Sequence, residues 1–530
     1  MSGHAAGDVD VAVVGGGHNG LVAAAYLARA GLRVRLLERL EQTGGAAISA
    51  QPFDGVGVRV SRYSYLVSLL PSRIVEDLGA GIRLARRPFS SYTPDPATGG
   101  RGGLLIGAPG NTFAAVGAAD DAHGFADFYR RCRLVTERLW PTLLEPLRSR
   151  EQARRHVVGS DGRRAAAWEA MIEQPIGEAI TDAVGSDLVR GVMATDALIG
   201  TFARLDDPSL TQNVCFLYHV LGGGTGDWDV PIGGMGALTT ALATAAVGHG
   251  AEIVSGAEVY ALDPSGEVRY RSGGQERRVR ARFVLAGVTP TVLAGLLGEE
   301  PPPAAGGAQV KVNMVLRRLP RLRDRGVTPE QAFAGTFHVN ETWTQLDTAY
   351  TQAAAGQPPN PLPCEAYCHS LTDPSIISDD LRRSGAQTMT VFGLHTPHAL
   401  FGDADPDALR DRLTDKVLGS MNSVLAEPIQ ELLLHDAQGR PCIETTTTSD
   451  LERTLGMSGG NIFHGGLSWP FAADDDPLDT PARQWGVATA HQRIMLCGSG
   501  ARRGGAVSGI GGHNAAMAVL ATLARGQGIA

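Results

Sequence analysis

The stretch Val9 to Glu38, VDVAVVGGGHNGLVAAAYLARAGLRVRLLE, decides the fold. Val9, Val11, Val13 and Val14 form a β-branched run suited to a buried parallel strand, and it ends directly in Gly15-Gly16-Gly17-His18-Asn19-Gly20. Leu21 to Ala30 reads as an alanine-rich helix, apolar all round, with Gly31 as its left-handed stop. Val34 to Leu37 reads as a second strand, closed by Glu38. Strand, G-x-G-x-x-G turn, helix, strand and acidic terminus stand in the order of a dinucleotide-binding βαβ unit. Gly15 permits the tight turn, Gly17 admits a pyrophosphate to the backbone, and Gly20 lets the helix approach the strand. The helix start at His18 and Asn19 offers free N–H groups and a positive dipole end to the phosphates. Glu38 falls where a carboxylate accepts hydrogen bonds from an adenosine ribose.

These residues serve FAD and NAD alike, because both carry an adenosine diphosphate half. The next ones discriminate. Glu38-Arg39 followed by Gly44-Gly45-Ala46-Ala47 resembles the FAD-binding extension of the glutathione-reductase-like and amine-oxidase-like flavoproteins. In those proteins the Gly-Gly turn runs beside the pyrophosphate and ribityl chain, so the resemblance implies that Arg39, Gly45 and Ala46 line an FAD site.

Composition excludes several other functions. The 43% apolar content of the 530 residues is that of a folded globular protein. The formal charge of -8, with the basic residues scattered, offers no stripe to a phosphate backbone, so nucleic acid is not an expected partner. Six cysteines without a CxxC pair or a Cys/His cluster give no zinc spacing, so no metal is expected and a reduced, cytoplasmic compartment is. The first apolar run is broken by glycines and charges, which argues against a signal peptide or a membrane span.

Further motifs follow in order: Ser61-Arg62-Tyr63-Ser64-Tyr65-Leu66, Trp228-Asp229-Val230-Pro231 leading into Ile232-Gly233-Gly234-Met235-Gly236, and Gly460-Asn461-Ile462-Phe463-His464-Gly465. Leu496-Cys497-Gly498-Ser499-Gly500, Gly504-Gly505-Ala506-Val507-Ser508-Gly509 and Gly512-His513-Asn514 complete the set. As a set they resemble the phytoene-desaturase-like flavoproteins, closest to the branch with the pyridine nucleotide-disulphide oxidoreductase domain 2 proteins, over essentially the whole chain. The resemblance implies an α/β fold in which a discontinuous Rossmann-type FAD domain (1–75, 230–300 and 485–530) interleaves with a substrate domain (76–229 and 301–484) of helices and antiparallel sheet. It also implies that Val259 pairs its backbone with the adenine and that Gly498, Val507 and Ser508 face the flavin edge. Ile494 to Leu496 reads as a strand and Asn514 to Leu523 as a helix. Val310 to Leu316 and Thr388 to Leu394 read as strands roofing the flavin, and Pro-rich 300–303 and 353–363 as exposed loops.

The implied activity is dehydrogenation or desaturation of an apolar or amphiphilic polyene, isoprenoid or polyketide-like molecule by hydride transfer to flavin N5, with redox-triggered cyclisation as a variant. No second G-x-G-x-x-G follows a strand, so oxygen, a quinone or another diffusible acceptor is expected to reoxidise the flavin. The alternatives are a flavin amine oxidase and a non-catalytic, escort-type lipid-binding protein of the same fold. His464, His219, Tyr63 and Glu365 are the candidate proton acceptors. Ala501-Arg502-Arg503 departs from the family, whose members carry Thr-His-Pro there; with Trp228, Arg502 and Arg503 are the candidate substrate contacts. A lipid substrate would bring peripheral membrane contact through the helical part of the substrate domain, although no basic amphipathic helix is evident. The oligomeric state is not legible.

Overall fold

A computed structural model describes residues 8–107, 110–303, 305–402 and 404–526. The outermost parts of the expected FAD segments, 1–7 and 527–530, lie outside them. At the centre of the first sheet is the strand Val9–Val14, paired in parallel with Val34–Leu37 on one side and with the end of Gln275–Ala286 on the other. Glu252–Val254 adds to Val34–Leu37, and Ile494–Leu496 adds to Gln275–Ala286, again in parallel. Strands from the beginning, middle and end of the chain therefore share one sheet. Gln275–Ala286 changes character along its length. Its first residues, rich in arginine and exposed, pair antiparallel in a meander with Glu267–Ser272, and its last four are buried in the parallel sheet. Ala257–Leu262 completes the meander.

Helices cover the parallel strands because these strands are apolar on both faces. His18–Arg29 packs between Met235–Gly248 and the last helix, Ile510–Ala524. That last helix begins four residues earlier than the sequence suggests. Gly511 and Gly512 are poor helix formers, but here contact outweighs propensity: a Cβ on Gly512 would sit 2.0 Å from the Asn19 carbonyl oxygen.

The second sheet runs in the order Ile443–Thr446, Val310–Leu316, Gln387–Gly393, Cys364–Tyr367, Thr336–Val339, Phe89–Pro94 and Gly103–Gly107. All neighbours are antiparallel except Thr336–Val339 with Phe89–Pro94. Val310, Val312 and Met314 face an apolar core shared with Leu413, Val417 and Met421 of the helix Pro406–Val424. The period of two turns Lys311 and Asn313 the other way. Thr446, Lys311, Phe392, Glu365 and His338 are successive register partners across five strands. All five line one cavity.

The remaining helices, among them Asp121–Leu139, Ile176–Ala183, Asp187–Ala194 and Thr211–Leu221, close around Phe128, Trp168 and Phe216. Residues 300–303 are exposed as expected, but Leu362 and Pro363 are buried. They lead the chain into the strand Cys364–Tyr367, where Leu362 joins the sheet core. Among the described residues no helix is long and apolar enough to cross a membrane, and all six cysteines are free and buried.

Candidate active site

One cavity of about 1020 Å³ runs from the Gly15–Gly20 turn to the far side of the second sheet. At its first end the backbone does the shaping. A Cβ on Gly20 would lie 2.2 Å from the Gly15 carbonyl oxygen, so only glycine lets the turn close on the helix. A Cβ on Gly17 would meet nothing within 4 Å and would project into open space. The helix His18–Arg29 has no side-chain cap and no acidic residue in its first turn, which leaves its positive end to a ligand. Glu38 is buried and lines the cavity. Its carboxylate accepts from Gly16 N at 2.7 Å and Leu40 N at 2.8 Å, so both of its oxygens are oriented by backbone donors.

Gly44 N donates to Gly16 O at 2.8 Å, tying the Gly44-Gly45 turn to the first loop. Gly45, Ala46, Arg39, Val259 and Gly498 all line the same end. Arg39 also donates to Thr454 O at 2.8 Å. The two chain ends are joined here: a His18 ring nitrogen lies 3.1 Å from Ala506 O, and Asn19 Nδ2 donates to Gly504 O at 3.4 Å. Asn19 Oδ1 is buried without a partner. Val507 lines the cavity, whereas Ser508 is fully buried behind it, its hydroxyl accepting from Ile510 N.

The four candidate proton acceptors all reach the cavity, but they do not form one cluster. His464 stands by the C-terminal loop with Nδ1 unpartnered; burial lowers its pKa to about 4, so it is a neutral imidazole. Tyr63 lines the same cavity, its pKa raised by burial. Glu365 sits further along the sheet, pushed up to about 8 by burial and by Glu341, and accepts a hydrogen bond from Tyr367. His219 lies under Trp228, ring centroids 5.2 Å apart, with Nδ1 2.9 Å from Cys215 O. Trp228 lines the cavity and donates to His219 O.

Arg502 and Arg503 are a correction: neither lines this cavity. Arg503 is 2% exposed and donates to Thr142 O at 2.8 Å and Glu145 O at 2.9 Å. Arg502 donates to Phe471 O at 2.6 Å and pairs with Asp476 at 3.0 Å. The turn that begins at Gly500 carries both side chains away from the cavity and into the joint with the helical lobe. Together they fasten the last loop to that lobe, which is a structural task.

Several functional-looking groups escaped the sequence reading. Lys311 is fully buried in an apolar strand, with Nζ donating to Ser61 O and Tyr63 O at 2.7 Å each and 4.9 Å from the centre of the Tyr65 ring. Burial lowers its pKa to about 7, partly opposed by Glu444. Its signal was available, since Lys311 is one of two lysines in the chain. Beyond it, Arg87, Asp196 and His338 join the candidate Glu365 at the far end, with Glu341 behind them. No local motif marks this group; sheet register and helix packing assemble it. His338 Nδ1 lies 2.6 Å from Glu341 Oε2 and 3.6 Å from Glu365 Oε1. Burial lowers the pKa of His338 and raises that of Glu341 well above the carboxylate range, so the pair is held without net charge.

Comparison with known proteins agrees with this geometry. Residues 13–72 match the NAD(P)-binding Rossmann-like domain. An uncharacterized protein of Mycobacterium tuberculosis is 75% identical over 525 residues, covering 98% of each chain. The pyridine nucleotide-disulfide oxidoreductase domain-containing protein 2 of Rattus norvegicus is 30% identical over 569 aligned positions, covering 97% of this chain and 94% of its own. Among solved structures, an oxidoreductase from Methanosarcina mazei superposes with a TM-score of 0.55 at 15% identity, covering 97% of this chain and all of the other. A putrescine oxidase bound to putrescine gives a TM-score of 0.54 at 14% identity, covering 98% of this chain and 99% of its own. At such identities the likeness is one of fold alone. By full-length similarity, the chain belongs to the pyridine nucleotide-disulfide oxidoreductase domain-containing protein 2 family of oxidoreductases.

Proposed function

We propose that this chain is an FAD-dependent dehydrogenase or oxidase of an amphiphilic small molecule of the polyene, isoprenoid or polyketide-like kind. The observation that carries the reading is the single cavity joining the Gly15–Glu38 cradle to an apolar middle and a polar far end. The cradle fits FAD: Gly17 opens on empty space, the helix N-terminus is uncapped, and Asn19 Oδ1 is buried without a partner. Gly15, Gly17 and Glu38 would hold the adenosine diphosphate half, and Gly45, Ala46, Gly498 and Val507 the flavin half. When bound, FAD supplies a two-electron acceptor for a substrate hydride.

The protein's own contribution is position, dryness and proton handling. Tyr65, Phe392, Ile462 and Phe463 line the middle of the cavity and exclude water from a bound apolar chain. Lys311, on the same wall, has a pKa of about 7, which suits it to hold or release a proton near neutrality. His464 stays neutral and serves as a hydrogen-bonding wall rather than a strong base. No second dinucleotide motif follows a strand, which supports a diffusible acceptor such as oxygen or a quinone.

The test is spectroscopic. The purified protein should be yellow or turn so with added FAD, and anaerobic addition of amphiphilic polyenes, amines and hydroxylated polyketides should bleach the flavin band for one class. A protein that gains no flavin spectrum overturns the proposal and favours an escort-type role.

A further inference from the structure

The far end of the cavity holds more acid than base. Asp196, Glu341 and Glu365 converge there, and the guanidinium beside them is that of Arg87. Arg87 is already tied to Trp228 O at 3.2 Å and Thr336 Oγ1 at 3.1 Å, and with the His338–Glu341 pair uncharged it balances at most one of Asp196 and Glu365. Arg86 and Arg130, which also line the cavity, pair with Asp227 and Asp229 and with Asp127, and Arg133 is exposed. His338 serves one carboxyl through Nδ1.

Two acceptors are left over. Glu341 is 1% exposed and its Oε1 has no partner. The Asp196 carboxylate lines the cavity and accepts no hydrogen bond from the described residues. A buried carboxyl without a donor is costly, and at Asp196, the one of the two that the cavity reaches, the cost is removed by a ligand that brings a positive charge and N–H groups.

Sheet register fixes where this end lies. Glu365 is two strands from Lys311 and His338 three, which at the usual spacing is roughly 10 Å and 14 Å. Phe392 stands between them as an apolar stretch of wall. We propose that the far end receives a protonated nitrogen, the ammonium or guanidinium head of an amphiphilic substrate whose reacting carbon lies beside Lys311. Asp196 and Glu365 take the N–H donors, and the His338–Glu341 pair stands behind Glu365 as a positioning group. The location of the reacting carbon rests on the oxidoreductase reading; the cation site does not.

The experiment is calorimetry on the purified protein with FAD added, using octylammonium and octan-1-ol as probes of the same chain length. Octylammonium is expected to bind about tenfold more tightly, the worth of one charge-assisted hydrogen bond in a dry site. In Asp196→Asn, which removes no hydrogen bond of the folded chain, the two affinities converge, and Glu365→Gln gives a second, independent loss of preference. Equal affinities in the native protein, or a preference surviving in both variants, overturn the proposal. So does metal analysis showing one tightly held divalent ion, lost in Glu341→Gln, since a resident metal would then satisfy the carboxyls. A protein that binds octylammonium selectively but takes up no FAD sinks only the oxidoreductase reading. A yellow protein, bleached by substrate but blind to the ammonium, sinks only this one.

Discussion

At one end of the cavity Gly15, Gly17 and Gly20 act through the side chains they lack. At the other, Asp196, Glu365 and His338 act through side chains brought together from three separate elements. The Gly15–Leu40 part of the first end is built by neighbours in sequence and is fixed before a ligand arrives, with Glu38 already bonded to Gly16 and Leu40. The second is built by register and packing, and it carries unpaired acceptors. The contrast separates a site that stores a common cofactor half from a site that selects a particular ligand. Substitutions at the first end should therefore act on the fold or on cofactor retention, and those at the second on ligand choice.

The largest effect is expected from Gly20→Val. Its Cβ would overlap the Gly15 carbonyl oxygen at 2.2 Å, and overpacking against backbone costs about 3 kcal/mol or more. Loss of the flavin spectrum together with a lowered Tm is the expected result. Gly17→Ala sharpens the comparison, because its Cβ meets no protein atom. The Tm of the cofactor-free protein should stay within about 0.5 kcal/mol of equivalent stability while FAD affinity falls. A Gly17→Ala protein that keeps full FAD affinity would break the idea that this opening is the pyrophosphate cradle.

That difference in construction also explains what the sequence disclosed. The βαβ unit was legible because a strand, a turn and a helix are local, and Gly15, Gly20 and Glu38 have mechanical tasks at fixed offsets. Even the strand Val310–Leu316 was legible, from its alternation and β-branched content. The facing of Lys311 into a cavity was not, since alternation puts Lys311 on the polar face without saying whether that face meets solvent or a cavity. His338 and Glu365 became neighbours only through the pairing of Thr336–Val339 with Cys364–Tyr367, a long-range register that single-chain periodicity does not encode. Arg502 and Arg503 misled for a related reason. Two adjacent charges in a glycine-rich loop beside the cofactor motif point to a ligand in sequence, yet the turn points them into the protein.

Between the two ends, Lys311 is expected to give a pH-dependent effect. In the unfolded chain its pKa is near 10.4 and in the folded chain about 7, so between these values the unfolded state binds more protons. Stability contributed by this group therefore rises as pH increases from about 7 to 10. Below 7 both states carry the proton, and the full penalty of the buried ammonium is present. Lys311→Met removes the titration, so its Tm relative to the native protein should be most favourable below pH 7 and should decline steadily towards pH 10. A Tm difference flat across that range would show that Lys311 remains an ordinary ammonium, and would end its assignment as the neutral-range proton group.

The smallest effects on ligand binding are expected from the two neighbouring arginines, which test the comparison from outside the cavity. Arg503 is buried, with its pKa lowered to about 10 by desolvation, and its guanidinium satisfies two carbonyls of the helical lobe. Arg503→Met leaves the Thr142 and Glu145 carbonyls without that donor, a loss of about 2 kcal/mol read as a lower denaturation midpoint. Arg502 is paired with Asp476 near the surface, where an exchange to alanine costs about 1 kcal/mol or less. Because neither side chain reaches the cavity, both variants should bind octylammonium and octan-1-ol with native affinities. A selective loss of ligand binding in Arg502→Ala with stability intact would instead return the C-terminal loop to the substrate site. The cavity would then offer its ligand a guanidinium from the C-terminal loop in addition to Arg87 and the far-end carboxyls, which is the chemistry of a zwitterion rather than a cation.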